Sequence, residues 1–202
     1  MLTETQIQEN KEKFISILKT IDREGADISG LINKLENSDF FIAPASTQYH
    51  CSYKGGLCEH SLNVYNQLCK IVSNMPEDPK NKYSQDTLKI VSLLHDFSKM
   101  NFYEIAERNT KDENGNWIKV PYIKVKDSKD RFLYANHEFN SLYMVSSFIP
   151  LNIEEEVAIS HHHMGMSEDS IKDNISGIVN RYPLALYLHL ADMLSCYVIE
   201  RV

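Results

Sequence analysis

Ile7, Phe14, Ile15, Leu18 and Ile21 recur mostly at three- and four-residue intervals, the period that lines one face of a helix, so a helix is expected over 5–23. "DISGLINKLENS" predicts a short second helix. "FFIAPASTQYHCSYKGG" reads as a loop, because Pro44, Ser46, Thr47, Gly55 and Gly56 break any regular period. A long helix is expected from about Leu57 to Met75, ended by the polar, proline-bearing break "NMPEDPKNKYSQD". Leu88, Val91, Leu93 and Leu94 then set up a helix, buried along most of its length, that runs into His95 and Asp96.

The pattern changes between Asn101 and Asn136. "ENGNWIKVPYIKVKDSKD" has an Asn-Gly turn signal and then alternates through Trp117, Val120, Tyr122, Ile123 and Val125, which predicts a small hairpin inserted in a helical domain. Helices are expected again over Glu138–Phe148, from Ile153 to about His162, and across "YPLALYLHLADMLSCYVIERV", where Pro183 suits a first helical turn. There is no internal repeat, low-complexity tract or interdomain linker. The expectation is one domain over 1–202, with an N-terminal helical extension at 1–40 and a hairpin insertion at about 101–136.

Composition supports a packed domain, since 202 residues with 43% hydrophobic and 24% charged content can bury a core. The formal charge of -7 argues against duplex nucleic acid as a partner, because neutralising phosphates takes clustered Lys and Arg. No apolar run approaches the roughly 18–20 residues of a membrane span, and "MLTETQIQENKEKF" lacks a signal peptide's basic start and apolar middle. A cytoplasmic chain with no membrane partner is expected. Cys51, Cys58, Cys69 and Cys196 are then expected as free thiols acting as small apolar residues.

The candidate chemistry lies in polar residues on apolar helices. "SLLHDFSK" delivers His95 and Asp96 from a strongly apolar helix and Lys99 one turn later. A buried Asp is costly unless a cation or hydrogen bonds compensate it; a backbone amide or Lys99 could do so as well as a metal. "LHLADMLS" repeats the situation, with Asp192 interrupting an apolar run between His189 and Ser195. His60, His95, Asp96 and Asp192 together form a ligand set suited to a catalytic divalent cation. Cys51 and Cys58 are separated by six residues, outside the gap of two to four usual in a zinc finger, so a Cys2His2 knot in "YHCSYKGGLCEH" is disfavoured. Gly55 and Gly56 read as a tight turn into the helix bearing His60, since the phosphate-loop pattern is absent.

"GGLCEHS", "LLHDFSK" and "HLADMLS" resemble the first His, the His-Asp doublet and the last Asp of HD-domain metal-dependent phosphohydrolases, a match spanning Tyr49 to Ser195. The resemblance implies an all-α fold, a helical bundle with the hairpin inserted, in which these four residues bind a first divalent metal and a metal-activated water attacks phosphorus. "NHEFNSLYM" and "VAISHHHMG" resemble the two-metal subgroup, offering His137 and one of His161, His162 and His163. His162 is favoured because it falls one helical turn after Ile159. A one-metal enzyme is left if the trio is a solvated helix end and His137 an ordinary helix start.

With two metals, the resemblance implies that Asp96 bridges them and that Lys99 holds a phosphate oxygen or stabilises the charge at phosphorus. His50 is a candidate substrate contact or acid, or an ordinary loop histidine. The hairpin is either a lid, with Trp117, Tyr122 and Tyr134 stacking on a base and Lys119, Lys124, Lys126 and Lys129 meeting phosphate, or a ribbon packed on the core with solvated lysines.

The expected activity is hydrolysis of a phosphate ester of a nucleotide or related small phosphorylated substrate, with one or two of Mn, Fe, Co, Ni, Mg or Zn as cofactor. A phosphodiesterase acting on cyclic nucleotides or short single strands, a metal- or nucleotide-binding module without turnover, and a di-iron oxygenase are the alternatives. Oligomeric state is not legible in the sequence.

Overall fold

The computed structural model describes residues 1–76, 83–165 and 174–200. Among these lie α1 (Glu4–Leu18), α2 (Ile28–Glu36), α3 (Gly56–Ser73), α4 (Gln85–Leu94), α5 (His137–Ser146), α6 (Ile153–Ser160), α7 (Ile175–Arg181) and α8 (Pro183–Leu194). A 3-10 turn (Phe97–Lys99) follows α4, and a π-helical turn (Ser195–Ile199) follows α8. Part of the expected break after Met75, and the last two residues of the expected final helix, lie outside the described residues.

Most helix starts are written in their caps. Thr3 closes a capping box with Gln6 on α1, Asn152 closes one with Glu155 on α6, and Asn136 accepts the Phe139 amide at the head of α5. Helix α3 starts differently: Gly55 holds φ +85° as its cap, a left-handed conformation that side-chain-bearing residues rarely adopt. A Cβ on Gly56 would collide with the Cys51 carbonyl oxygen, so this residue too has no substitute.

The core is continuous. Helix α3 packs between α4 and α8, and α6 leans on α8 and α4. Leu57, Val64 and Leu68 of α3, Ile90, Val91 and Leu94 of α4, and Leu184 and Leu188 of α8 are fully buried. Phe14 and Leu18 bring α1 into the same core. Arg23, after α1, forks onto Glu155 of α6 at 2.6 and 2.7 Å, and Glu155 also accepts the Thr87 hydroxyl of α4 at 2.7 Å.

The all-α expectation is corrected. Strands β1 (Tyr103–Lys111) and β2 (Trp117–Val125) form an antiparallel two-stranded sheet, so the class is mixed, mainly helical with a hairpin. The alternation at 117–125 marks β2, but β1 has no such pattern and gains its conformation from in-register pairing, Tyr103 opposite Val125 through to Lys111 opposite Trp117. The turn spans five residues rather than the two of a tight Asn-Gly loop. Asp112 closes it by accepting the Asn114 and Asn116 amides, and Gly115 supplies φ +82°.

Helix α7 is an element the apolar pattern did not predict; Asn174 caps it. Several helix ends differ from expectation. Helix α1 stops at Leu18 and α6 at Ser160. Among the described residues, no single helix is long and apolar enough to cross a membrane.

Candidate metal centre

Three elements bring the first group together. Helix α3 presents His60 one turn after its glycine start, the end of α4 presents His95 and Asp96, and α8 presents Asp192; all four are at most 5% exposed. His60 Nε2 lies 3.3 Å from His95 Nε2, 3.2 Å from Asp192 Oδ1 and 3.7 Å from Asp96 Oδ2, and His95 Nε2 lies 3.4 Å from the same Asp96 oxygen. Ligands about 2.1 Å from one cation and roughly 90–110° apart stand about 3.0–3.4 Å from each other, so the three shorter spacings suit a shared ion and the 3.7 Å one is slightly wide of it.

Ring tautomers follow from the outer contacts. The Ser92 carbonyl, 2.8 Å from His95 Nδ1, can only accept, so Nδ1 carries the proton and Nε2 the lone pair. His162 is fixed the same way by the Ile159 carbonyl at 2.7 Å. His60 Nδ1 faces both oxygens of Glu200 at 3.1 Å, and Asn63 Nδ2 donates to that carboxylate at 2.9 Å. A carboxylate behind an imidazole orients a ligating ring and strengthens its basicity.

A second group adjoins the first across Asp96. His162 Nε2 lies 3.7 Å from Asp96 Oδ1, and the His162 ring neighbours His163 at 4.2 Å and His137 at 5.5 Å between centroids. Single donor atoms of His137, His162 and His163 fall within 4.8 Å of one another, as do those of His60, His95 and Asp96. Ser98 fixes the joint between the groups: its hydroxyl donates to the His137 carbonyl at 2.8 Å and its amide to the Ser141 hydroxyl at 3.1 Å. The 3-10 turn after Asp96 is thereby tied to the head of α5.

Several polar atoms here are buried with no hydrogen-bond partner among the described residues: Asp96 Oδ1, His162 Nε2, His137 Nε2, His163 Nδ1 and His50 Nε2. Leaving an acceptor buried and unsatisfied costs about 1–3 kcal/mol. Asp96 Oδ1 and the His162 Nε2 lone pair are both acceptors and face each other, an arrangement a cation satisfies. The buried His, Asp and Glu clusters therefore fit a metal ion.

Electrostatics agree. Burial pulls the His60 pKa down, but Asp192 and Glu200 more than offset it and raise it to about 10, so without a cation this ring holds a proton between carboxylates. Burial works against ionised Asp96 and Asp192 too, yet Lys99 and His95 hold the former, and His60 the latter, well below the usual carboxylate range. Burial lowers His137 to about 3 and His163 to about 4, leaving neutral rings with lone pairs to offer.

The remaining sequence candidates fall as follows. Lys99 is drawn onto Asp96 Oδ2 at 2.7 Å, so its charge serves the carboxylate directly. His50 is at the site, its ring 4.8 Å from His60, and burial lowers its pKa to about 4. Of the trio, His162 turns inward as expected but for another reason: α6 has ended at Ser160, and a turn with Met164 at φ +49° folds both His162 and His163 inside. His161 turns to Ser160 and the Phe139 ring.

All four cysteines are free thiols. Cys51 contacts Tyr53 and Glu59, away from a zinc knot. Cys196 is not merely an apolar filler, since its thiol donates to Asp192 Oδ1 at 3.3 Å. Glu200 was not anticipated, and His163, weighed among the trio but set aside for His162, joins the group as well. Asp192, Cys196 and Glu200 do recur every four residues, the spacing of one helix face, which is the signal that could have revealed Glu200.

The hairpin meets the helical body at its root, where the Tyr103 hydroxyl donates to the Ala45 carbonyl at 3.1 Å. Both of its faces are largely exposed, so it is not packed on the core. Lys124 pairs with Glu104 at 2.8 Å and Lys119 with Glu107 at 3.4 Å. Trp117, opposite Lys111 at the tip, stands eight residues from the root, roughly 26 Å along the strand at about 3.3 Å per residue, and its ring lies over the Lys111 ammonium at 5.3 Å.

Comparison of the chain with protein-family models, with curated proteins and with solved structures gave no match.

Proposed function

We propose that the chain is a metal-dependent phosphohydrolase of the HD type that cleaves a phosphate ester of a small substrate, a nucleotide or related phosphorylated metabolite. The observation that carries this reading is the pair of buried acceptors, Asp96 Oδ1 and His162 Nε2, 3.7 Å apart with no donor between them and flanked by further imidazoles on both sides. The ordered resemblance of His60, His95-Asp96 and Asp192 to the HD pattern supplies the reaction class.

In this reading His60, His95, Asp96 and Asp192 would hold one divalent ion and His137, His162 and His163 a second, with Asp96 lying between the two groups. A bound ion there supplies Lewis acidity, lowering the pKa of water and polarising a phosphoryl oxygen. The protein's own part is orientation. Ser92, Ile159 and Glu200 fix which nitrogen each imidazole presents, and Ser98 and Ser141 fix the spacing between the two groups. Burial excludes bulk water and strengthens each electrostatic contact. Lys99, cationic and held on Asp96, is placed to neutralise charge that builds up on a transferring phosphoryl group. His50, neutral near pH 7, serves as a hydrogen-bonding wall of the site rather than as a protonated acid.

The test is elemental analysis of gently purified protein together with phosphate release from a panel of nucleotides and sugar phosphates in added Mn, Mg, Co and Ni. About two metals per chain with turnover is the expected result. One metal with turnover removes the second group from the reading. Bound metal with no release from any ester overturns the hydrolase and, if the metal is iron that cycles with oxygen, favours an oxygenase.

A further inference from the structure

His137 also borders a cavity that the metal groups leave unused. A pocket of about 320 Å³ opens between the hairpin root and the head of α5, with Phe102, Val125 and Leu133 as apolar walls and Arg131, Asn136 and His137 as polar ones. Its volume is at the lower end of the roughly 300–1,000 Å³ typical of ligand pockets. Arg131 is the one charged side chain of this lining among the described residues, and the chain around it is acidic, with a net charge of -7.

Arg131 is also held in a particular way. Its Nε donates to the Lys126 carbonyl at 3.1 Å, and its guanidinium lies 4.8 Å from the centre of the Phe102 ring. One edge and one face are therefore committed, while the two terminal amino groups meet no acceptor among the described residues. A guanidinium fixed through Nε, with its fork free, is arranged for two parallel hydrogen bonds to a phosphate or carboxylate. Fixing it beforehand reduces the side-chain entropy lost on binding.

We propose that this pocket is the subsite for a second anionic group of the substrate, a phosphate or a carboxylate, gripped by the Arg131 fork beside the metal groups. The proposal rests on the phosphohydrolase reading for what happens to the first phosphate. Because His137 belongs both to the pocket and to the second candidate group, one small molecule can reach both. The favoured substrates are compact molecules carrying two anionic groups rather than simple monoesters.

Calorimetry on the metal-loaded protein tests this with three ligands that cannot be hydrolysed: ethylphosphonate, phosphonopropionate and ethylene-bisphosphonate. The wild type is expected to bind a two-anion ligand at least about tenfold more tightly than ethylphosphonate. Arg131→Gln should abolish that preference, Arg131→Lys should keep only part of it, and metal content should stay unchanged in both. Tighter binding of ethylene-bisphosphonate assigns a phosphate to the subsite, and tighter binding of phosphonopropionate assigns a carboxylate. Equal affinity for one- and two-anion ligands, or a preference surviving in Arg131→Gln, overturns the subsite. A preference that Arg131→Gln abolishes, with no phosphate release from any ester, overturns the hydrolase and leaves the anion subsite standing.

Discussion

Glu200→Gln removes a charge from behind His60 without removing volume, and its effect follows from the contacts. In the wild type, Oε1 accepts from His60 Nδ1 at 3.1 Å and from Asn63 at 2.9 Å, while Oε2 faces the same imidazole nitrogen at 3.1 Å. A glutamine that keeps its oxygen for both donors must set its amino group against the His60 N–H, a donor against a donor. The opposite rotamer leaves Asn63 facing an amino group. Loss of a partner behind a ligating histidine costs about 10–100-fold in metal affinity, roughly 1.4–2.7 kcal/mol, and the mismatch places this variant toward the upper end. Competition against a fluorescent chelator measures it. Glu59→Gln is the control, because that carboxylate takes the Tyr53 hydroxyl at 2.7 Å and does not face His60. A Glu200→Gln affinity within about twofold of wild type would refute the assignment of His60 as a ligand held by Glu200.

Asp96→Ala is expected to abolish metal binding and any hydrolysis, whereas Cys51→Ser with Cys58→Ser should leave both nearly intact; activity that survives the first change sinks the site assignment. Arg23→Met strands the fully buried Glu155 carboxylate and should destabilise the fold by about 3 kcal/mol, read from urea unfolding, because Arg23 is itself partly exposed and the loss sits at the low end for a broken buried pair. The stability of metal-free protein should peak near pH 6.5, the unperturbed histidine value. Below it, His50 and His163, lowered to about 4, and His137, lowered to about 3, bind fewer protons folded than unfolded, so stability falls as pH drops. Above it, the stabilisation from His60, raised to about 10, is lost progressively as pH climbs toward that value. A flat profile between pH 4 and 10 in thermal unfolding would contradict these shifts.

The first candidate group was legible in the sequence because its chemistry is incongruous locally: His95, Asp96 and Asp192 interrupt runs of Leu, Val and Ala that have to be buried. The choice among the three adjacent histidines was not decidable by helical rotation, since the helix stops at Ser160 and the following turn sets their directions. Contacts that lock the groups together were invisible for a different reason. Ser98 and Ser141 are 43 residues apart and Arg23 and Glu155 are 132 apart, and nothing in either local stretch says which partner it will meet. Strand β1 was legible only as the partner a hairpin requires, because "YEIAERNTK" has little apolar alternation of its own and is strand by virtue of its pairing.

The aromatic packing under the His-Asp doublet makes the amino-terminal segment part of the centre. Phe97, adjacent in sequence to Asp96, packs edge-on against Phe40 at 6.5 Å, and Phe40 packs against Phe14 of α1 at 5.1 Å. A domain boundary drawn at residue 40 would cut this relay and leave Phe97 packed on Phe148 alone of its two ring partners. Shortened versions of the protein lacking α1 should therefore lose metal as well as stability, and truncating Phe14 should weaken metal binding at Asp96, more than eighty residues along the chain.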